Sequence, residues 1–254
     1  MRFCSVGSGS TGNGWLIEAG DTRVLIDCGL GVERLTARLA RAGVDPATIA
    51  ALLITHEHDD HVGGAASFSR RYKVPVYATY GTVQGAGDAL AGVEQLRELE
   101  PAGRLAIGAI EVVPVAVPHD AREPVQYVLS DGAVRVGVIT DLGSLTAHVV
   151  ASYSGLDALV LEANHDSGML QQGPYPKFLK DRVGGRYGHL SNETSARFLR
   201  EVANDRLQHV VAAHLSLKNN HADLVRTALA GALGCAPDWI QVATDAGLDW
   251  RDVI

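Results

Sequence analysis

The stretch Ala51-Leu52-Leu53-Ile54-Thr55-His56-Glu57-His58-Asp59-Asp60-His61 decides how this chain reads. Its first four residues are apolar and read as a buried strand. The polar run then falls at a strand's carboxyl end, where α/β proteins keep their chemistry. In extended backbone, residues i and i+2 point the same way. His56 and His58 are therefore expected to close on one metal ion, while Asp60 and His61, after the chain turns, reach a second. Imidazole and carboxylate donors in this mix suit zinc, manganese or iron better than calcium or magnesium. The plain alternative is a polar turn that happens to be rich in histidine, and the strand context argues against it.

Outward from this run, apolar or alternating segments recur: Trp15–Glu18, Val24–Asp27, Val74–Ala78, Ile110–Val117, Val125–Leu129, Val134–Thr140, Ala158–Leu161, Val210–Ala213 and Ile240–Ala243. Between them lie segments with helical spacing: Val32–Ala42, Val62–Tyr72, Thr82–Leu90, Asn192–Val202 and Ala222–Leu233, with Asn192 placed as an N-cap. Early strands pair as hairpins and later ones alternate with helices, which predicts an α/β fold of two sheets between helical layers. The 254 residues, 46% hydrophobic, suit one domain over 1–254 without an inserted second one.

Three cysteines, Cys4, Cys28 and Cys235, are an odd number and form no C-x-x-C. They predict no disulfide framework and a cytoplasmic protein, with no signal-peptide pattern at Met1 and no membrane span. A net charge of −7 argues against coating nucleic acid by charge alone. It leaves phosphodiester chemistry open, because two bound dications turn a site positive whatever the global balance.

Three later strand ends offer further donors. His119 follows Val113–Pro118, Asp141 follows Val136–Thr140, and His214 follows Val210–Ala213. Each alone reads equally well as a polar cap. Together with the first cluster they read as ligands, Asp141 having two oxygens to share between ions. The loop Gly7-Ser8-Gly9-Ser10-Thr11-Gly12-Asn13-Gly14 offers backbone N–H groups and the side chains of Ser8, Ser10 and Asn13 to a phosphate, or is simply a set of tight turns. Lys177, Lys180, Arg182 and Arg186, with Phe178 among them, read as a path for a nucleic-acid backbone or as an ordinary solvated helix face.

His56-Glu57-His58-Asp59-Asp60-His61 resembles the HxHxDH signature of the metallo-β-lactamase superfamily. The resemblance implies an αββα four-layer sandwich with two divalent ions, zinc or manganese with iron left open, at one edge. His56, His58 and His119 would hold the first, Asp60, His61 and His214 the second, and Asp141 would bridge them. Asp27 resembles the early aspartate that stands behind the ligands. Glu162 and His189 resemble the acid and histidine that the phosphodiesterase branch uses beside its metals. Glu162 would hold His189, which would touch the scissile phosphate or give a proton to the departing oxygen, and Asp60 would also orient the nucleophile.

A narrower likeness runs through Phe3-Cys4-Ser5, the glycine-rich loop, Glu162-Ala163-Asn164-His165-Asp166, Gly173-Pro174-Tyr175-Pro176, Gly188-His189-Leu190-Ser191-Asn192 and Ala213-His214-Leu215-Ser216. These are similar to the YycJ family, also called WalJ or VicX. That implies a 5′-to-3′ DNA exonuclease with a place in DNA repair, attacking the phosphate in line with a hydroxide shared by two ions. His165 and Ser216, within these motifs, are expected to touch substrate. The chain departs from the pattern at Gly14, where a cysteine is expected in many relatives. Two rival readings stand beside this one: a hydrolase of a small phosphodiester such as a cyclic phosphate, or of a thioester; and a regulatory protein that keeps the fold without turnover.

Overall fold

A computed structural model describes residues 1–254. The first half of the chain builds β1 (Arg2–Gly7), β2 (Gly14–Ala19), β3 (Thr22–Ile26), β4 (Ala51–Leu53), β5 (Val76–Thr79) and β6 (Leu96–Leu99), with helices α1 (Val32–Arg41), α2 (Asp59–Val62), α3 (Ala65–Tyr72) and α4 (Tyr80–Ala86) between them. The second half builds β7 (Leu105–Ile107), β8 (Ile110–Ala116), β9 (Val125–Ser130), β10 (Arg135–Ile139), β11 (Ala158–Glu162), β12 (His209–Ala213) and β13 (Gln241–Val242). Its helices are α5 (Ala147–Ser152), α6 (Ser167–Gln172), α7 (Lys177–Val183), α8 (Asn192–Val202) and α9 (Ala222–Leu233). A last strand, β14 (Leu248–Asp252), returns to pair with β1.

The two seven-stranded sheets run β14-β1-β2-β3-β4-β5-β6 and β13-β12-β11-β10-β9-β8-β7. Each opens with antiparallel neighbours and continues with three parallel pairings, β3 through β6 in one and β10 through β13 in the other. The parallel strands end on a common side, so their carboxyl ends line up along one edge.

Side-chain alternation along the strands sorts the apolar residues into layers. Phe3, Trp15, Ile17, Val24, Ile26 and Leu53 face the other sheet and meet Val112, Tyr127, Val136, Val138, Val160 and Val211. Their neighbours Leu16, Leu25, Leu52 and Ile54 face outward onto Leu35 and Leu39 of α1 and Phe68 of α3. Leu159, Leu161, Val210 and Ala212 do the same against Phe198 and Leu199 of α8 and Leu229 of α9. The architecture is the expected αββα sandwich.

Two buried bonds cross from sheet to sheet beside the histidine run. The Tyr127 hydroxyl donates to the Ile54 carbonyl at 2.7 Å, and the Val125 N–H donates to the Thr55 carbonyl at 3.0 Å. They fix the height at which His56 leaves β4. The expectation for α8 needs one correction. Ser191, not Asn192, is its N-cap, its hydroxyl accepting from the Thr194 N–H at 3.2 Å. Asn192 instead pairs its amide with that of Asn220 at 2.9 Å. No helix is long and apolar enough to cross a membrane, and the three cysteines are free.

One glycine is dictated by close approach. A Cβ on Gly29 would stand 1.8 Å from the Asp60 carbonyl oxygen and 2.9 Å from the Asn13 nitrogen, both backbone atoms. Gly29→Ala is therefore expected to lower unfolding free energy by about 3 kcal/mol or more, at the upper end of overpacking costs. Urea denaturation checks this; an unchanged midpoint would mean that the loop yields freely.

Candidate metal centre and active site

The ligands arrive from both sheets. Asp27 follows β3, His56 and His58 follow β4, and α2 carries Asp60 and His61. His119 follows β8, Asp141 follows β10, Glu162 ends β11 and His214 follows β12. Parallel register sets Ile139 beside Leu161 and Glu162 beside Ala213, which brings the last three together. Asp27 and His214 leave their strands with φ of 62° and 54°. Left-handed backbone costs a non-glycine residue on the order of 1 kcal/mol, and here it turns each side chain across the sheet edge.

Ligand atoms of His56, His58 and His119 lie within 4.8 Å of one another, as do those of Asp60, His61 and His214, and those of His56, His61 and Asp141. Each group is held from behind. The His56 Nδ1 sits 2.9 Å from the Thr55 hydroxyl, and the His119 Nδ1 sits 3.0 Å from the Gly188 carbonyl. The His61 Nδ1 sits 2.8 Å from Asp27 Oδ2, while Asp27 Oδ1 accepts the Thr55 N–H at 2.8 Å. With Nδ1 engaged, Nε2 of all three rings turns inward toward the other ligand atoms, that of His61 lying 3.1 Å from Asp141 Oδ2 and 3.1 Å from the Asn13 amide nitrogen, the usual arrangement behind metal-ligating imidazoles. His56 Nε2 comes 2.9 Å and His119 Nε2 3.4 Å from His58 Nδ1, so three lone-pair atoms face a common point. Asp141 Oδ2 and His214 Nδ1 are buried without a hydrogen-bond partner. Nitrogen and carboxylate donors converging without partners fit a divalent cation.

Charge tells the same story. Asp27, Asp141 and Glu162 are fully buried, and no lysine or arginine is paired with any of them. Burial alone pushes the His61 and His214 imidazoles toward neutrality. Asp141, Asp27 and Asp60 overcome it at His61 and hold that ring well above its ordinary value. Asp141, Asp60 and Glu162 overcome it at His214, raised to about 10. His56 goes the other way: burial and the charge on His61 hold it well below. Without metal, protons take the place of the missing positive charge.

Glu162 and His189 form a pair whose polar atoms also lie within 4.8 Å of those of Asp141 and His214. The His189 Nδ1 donates to Glu162 Oε1 at 2.6 Å, while Glu162 Oε2 accepts the Leu142 N–H at 2.8 Å and the Leu190 N–H at 3.2 Å. Burial opposes the charge on His189, but Glu162 and then Asp141 raise its pKa nonetheless. Its Nδ1 also lies 3.5 Å from Asp141 Oδ1, at the border of the ligand cluster.

A cleft of about 300 Å³ opens over the ligands, lined by Ser10, His58, Asp60, Asp141, His189, His214 and Ser216 on one side. Tyr175, Leu179, Arg182 and Val183, from α7 and the loop before it, face them. The other expected substrate contacts stand elsewhere. Ser8 and Asn13 are buried and turned onto the protein. The Ser8 hydroxyl accepts the His214 N–H at 2.9 Å, and the Asn13 amide bridges the Gly9 and Asp60 backbones. They support the ligand loop and are not free to receive a phosphate. Lys177 pairs with Asp181, the Lys180 ammonium donates to the Gln171 carbonyl at 2.6 Å, and Arg186 is exposed outside the cleft lining. His165 lies behind His189 in a separate hollow.

Asp120 was not foreseen from the sequence. Its Oδ1 lies 3.4 Å from His119 Nε2 and its Oδ2 accepts from Arg182 Nε at 2.6 Å, tying α7 to the ligand set. Its place next to His119 was the available signal. Asn164, whose amide donates to the His214 carbonyl at 3.0 Å, also lines the cleft.

The family model described as the Beta-lactamase superfamily domain matches residues 22–214. The chain belongs to the metallo-β-lactamase superfamily. It is 32% identical over 235 residues to the exodeoxyribonuclease YycJ of Bacillus anthracis, spanning 92% of this chain and 89% of that one. It is 30% identical over 240 residues to the exodeoxyribonuclease WalJ of Streptococcus pneumoniae, spanning 93% and 89%. It therefore falls in the YycJ and WalJ branch of the superfamily, and is a metal-dependent hydrolase. Among solved structures, the metallo-β-lactamase fold protein YhfI of Bacillus subtilis superposes over 99% of both chains with a TM-score of 0.77 at 16% identity, a likeness of fold.

Two outcomes are expected. Asp27→Asn keeps the Thr55 contact but loses the charge behind His61, and chelator-competition titration should show metal affinity lowered about 10–100-fold. An unchanged affinity would remove Asp27 from the ligand scaffold. The second concerns pH. His61 and His214 are both raised from 6.5, so their contribution to metal-free stability is complete below that value and fades as pH climbs, for His214 through about 10. Chelated protein should lose urea resistance across that window, and saturating metal should flatten the slope. Stability that rises with pH in the chelated protein would contradict the proton assignment.

Proposed function

We propose that this protein is a nuclease, a 5′-to-3′ exonuclease on DNA that works with two zinc or manganese ions. The observation that carries the reading is the Glu162–His189 pair, set 3.5 Å from Asp141 and aimed into the same cleft as the ligands. A protonated histidine at that place has a use in ester cleavage, where an alkoxide departs and needs a proton. The names of the relatives that cover most of the chain support nucleic acid, and DNA within it, as the substrate. Polarity and a place in DNA repair rest on the family likeness alone.

In this reading His56, His58 and His119 would hold one ion, Asp60, His61 and His214 would hold the other, and Asp141 would contribute to both. When bound, such a pair ionises water near neutral pH and neutralises charge on the phosphate. The chain's own groups do the rest. Asp60 orients the attacking water through its free carboxylate edge. His189 donates to the leaving oxygen, and Glu162, anchored by two backbone N–H groups, keeps the imidazole protonated and facing the cleft. Arg182, held at the cleft wall by Asp120, offers charge to a backbone phosphate, and Ser10 and Ser216 offer hydroxyls. Three unpaired cysteines suit a reducing cytoplasm. Residues 1–254 act as one domain, the β14–β1 pairing joining the two ends of the chain.

The test uses purified protein with manganese or zinc, end-labelled single- and double-stranded DNA, and bis-p-nitrophenyl phosphate in parallel. Mononucleotide release from a 5′-phosphorylated end is the expected result. Fast turnover of the small ester with inert DNA would instead favour a small-phosphodiester hydrolase. His189→Ala should keep its metal content and lose about 10²–10⁴-fold in turnover, as for other general acids. A variant that loses metal would make His189 a ligand instead.

A further inference from the structure

Helix α7 adds nothing to the core, since none of its seven residues is buried. Leu179 and Val183, four residues apart and so on one face of it, line the metal cleft together with Tyr175 from the loop before the helix. All three are half-buried. The carboxylates of the cleft, Asp60, Asp120 and Asp141, come instead from the segments that carry the histidine ligands. The cleft thus has a polar wall, which the catalytic reading uses, and a facing wall that is apolar apart from Arg182. Apolar area left open inside a polar cleft is where a ligand gains by covering it. Two contacts indicate which part of a ligand that is. The His189 N–H donates to the Val183 carbonyl at 2.8 Å, so the apolar wall begins beside the imidazole that serves the departing oxygen. At its other end the Lys218 ammonium, exposed and otherwise unpaired, stands 5.6 Å from the centre of the Tyr175 ring. An aromatic ring with basic side chains beside it is how proteins hold unpaired nucleic acid.

We propose that this wall takes the 5′-terminal nucleoside of the DNA, unpaired from its complementary strand, with the base against Tyr175 and the sugar on Leu179 and Val183. The proposal rests on the nuclease reading above. When the bond between the first and second nucleotides is hydrolysed, the water oxygen bonds to phosphorus and the phosphate stays on the second. The 3′ oxygen of the first departs with the His189 proton. The terminal nucleoside is therefore the group beside His189, where the wall begins. A cleft of about 300 Å³ is at the small end of ligand pockets and suits one nucleotide, not a base pair. A duplex end must then open one base step before it is cut. Lys177, Lys180 and Arg182 are each already paired, whereas Lys218 can leave the ring to the base and follow the backbone.

The experiment measures kcat/KM of the metal-loaded protein on one 5′-phosphorylated strand presented singly, in a blunt duplex, in a duplex with mismatched terminal pairs, and in a duplex cross-linked at its first pair. The mismatched end should be cut about tenfold faster than the paired end, the cost of opening one base step, and the cross-linked end should resist. Equal rates on paired and mismatched ends, or cleavage at the cross-linked one, would overturn the proposal. Tyr175 is half-exposed, so its replacement leaves the core intact. Tyr175→Ala should raise KM for the single strand about tenfold, as for a lost base–aromatic stack, and Tyr175→Phe should restore it. An abasic first nucleotide should cost wild type a similar factor and Tyr175→Ala little more, because the lost partner is the same. A loss in Tyr175→Ala that is equally large on the abasic strand, or absent from both, would remove the base from this ring. If none of these DNAs is cleaved with metal bound, the nuclease reading fails and the proposal with it; cleavage indifferent to pairing and to the first base sinks the proposal alone.

Discussion

Three carboxylates, Asp27, Asp141 and Glu162, are withdrawn from water at one edge of the sandwich with imidazoles as their only charged partners. Burying ionised groups without counter-charge is prohibitive, so this edge exists only because positive charge is brought to it. In the metal-free chain protons on His61 and His214 supply it; in the loaded chain metal ions do. Much of the surrounding structure serves that need. Asp27 turns out of β3 in a left-handed conformation to reach His61, Gly29 gives up its side chain so that the Asp60 backbone can approach, and Asn13 bonds that backbone in place.

The same constraint separates two kinds of histidine. His56 and His119, with Nδ1 bound to neutral oxygen, are held low and stay available as donors of a lone pair. His189, with Nδ1 on the Glu162 carboxylate, is held high and keeps its proton. Burial lowers His56 and His119, while the carboxylates around His61, His214 and His189 outweigh burial and raise those rings.

The sandwich was legible because its strands are short, apolar and bounded by turns, and because the ligands fall at their ends. Ala51–Ile54 shows this most plainly, with alternate residues serving opposite layers. The strand Leu96–Leu99 was not legible: three of its four residues are exposed, so no period of two marks it. Nor was the role of Ser8 and Asn13, because a glycine-rich loop reads alike whether its side chains face a phosphate or its own backbone. Asp120 escaped because its meaning depends on Arg182, which only the fold brings to it. The left-handed turns at Asp27 and His214 leave no trace in composition, since neither residue is glycine.

The claim that organises this structure is that the ligands converge on a pair of cations. Anomalous diffraction from crystals grown with zinc or manganese measures it directly. Two peaks about 3.5–4 Å apart are predicted, the spacing of two-metal hydrolytic sites, one among His56, His58 and His119 and one among Asp60, His61 and His214, with Asp141 reaching both. A single peak at full metal saturation, or scatterers bound away from these side chains, would contradict the account.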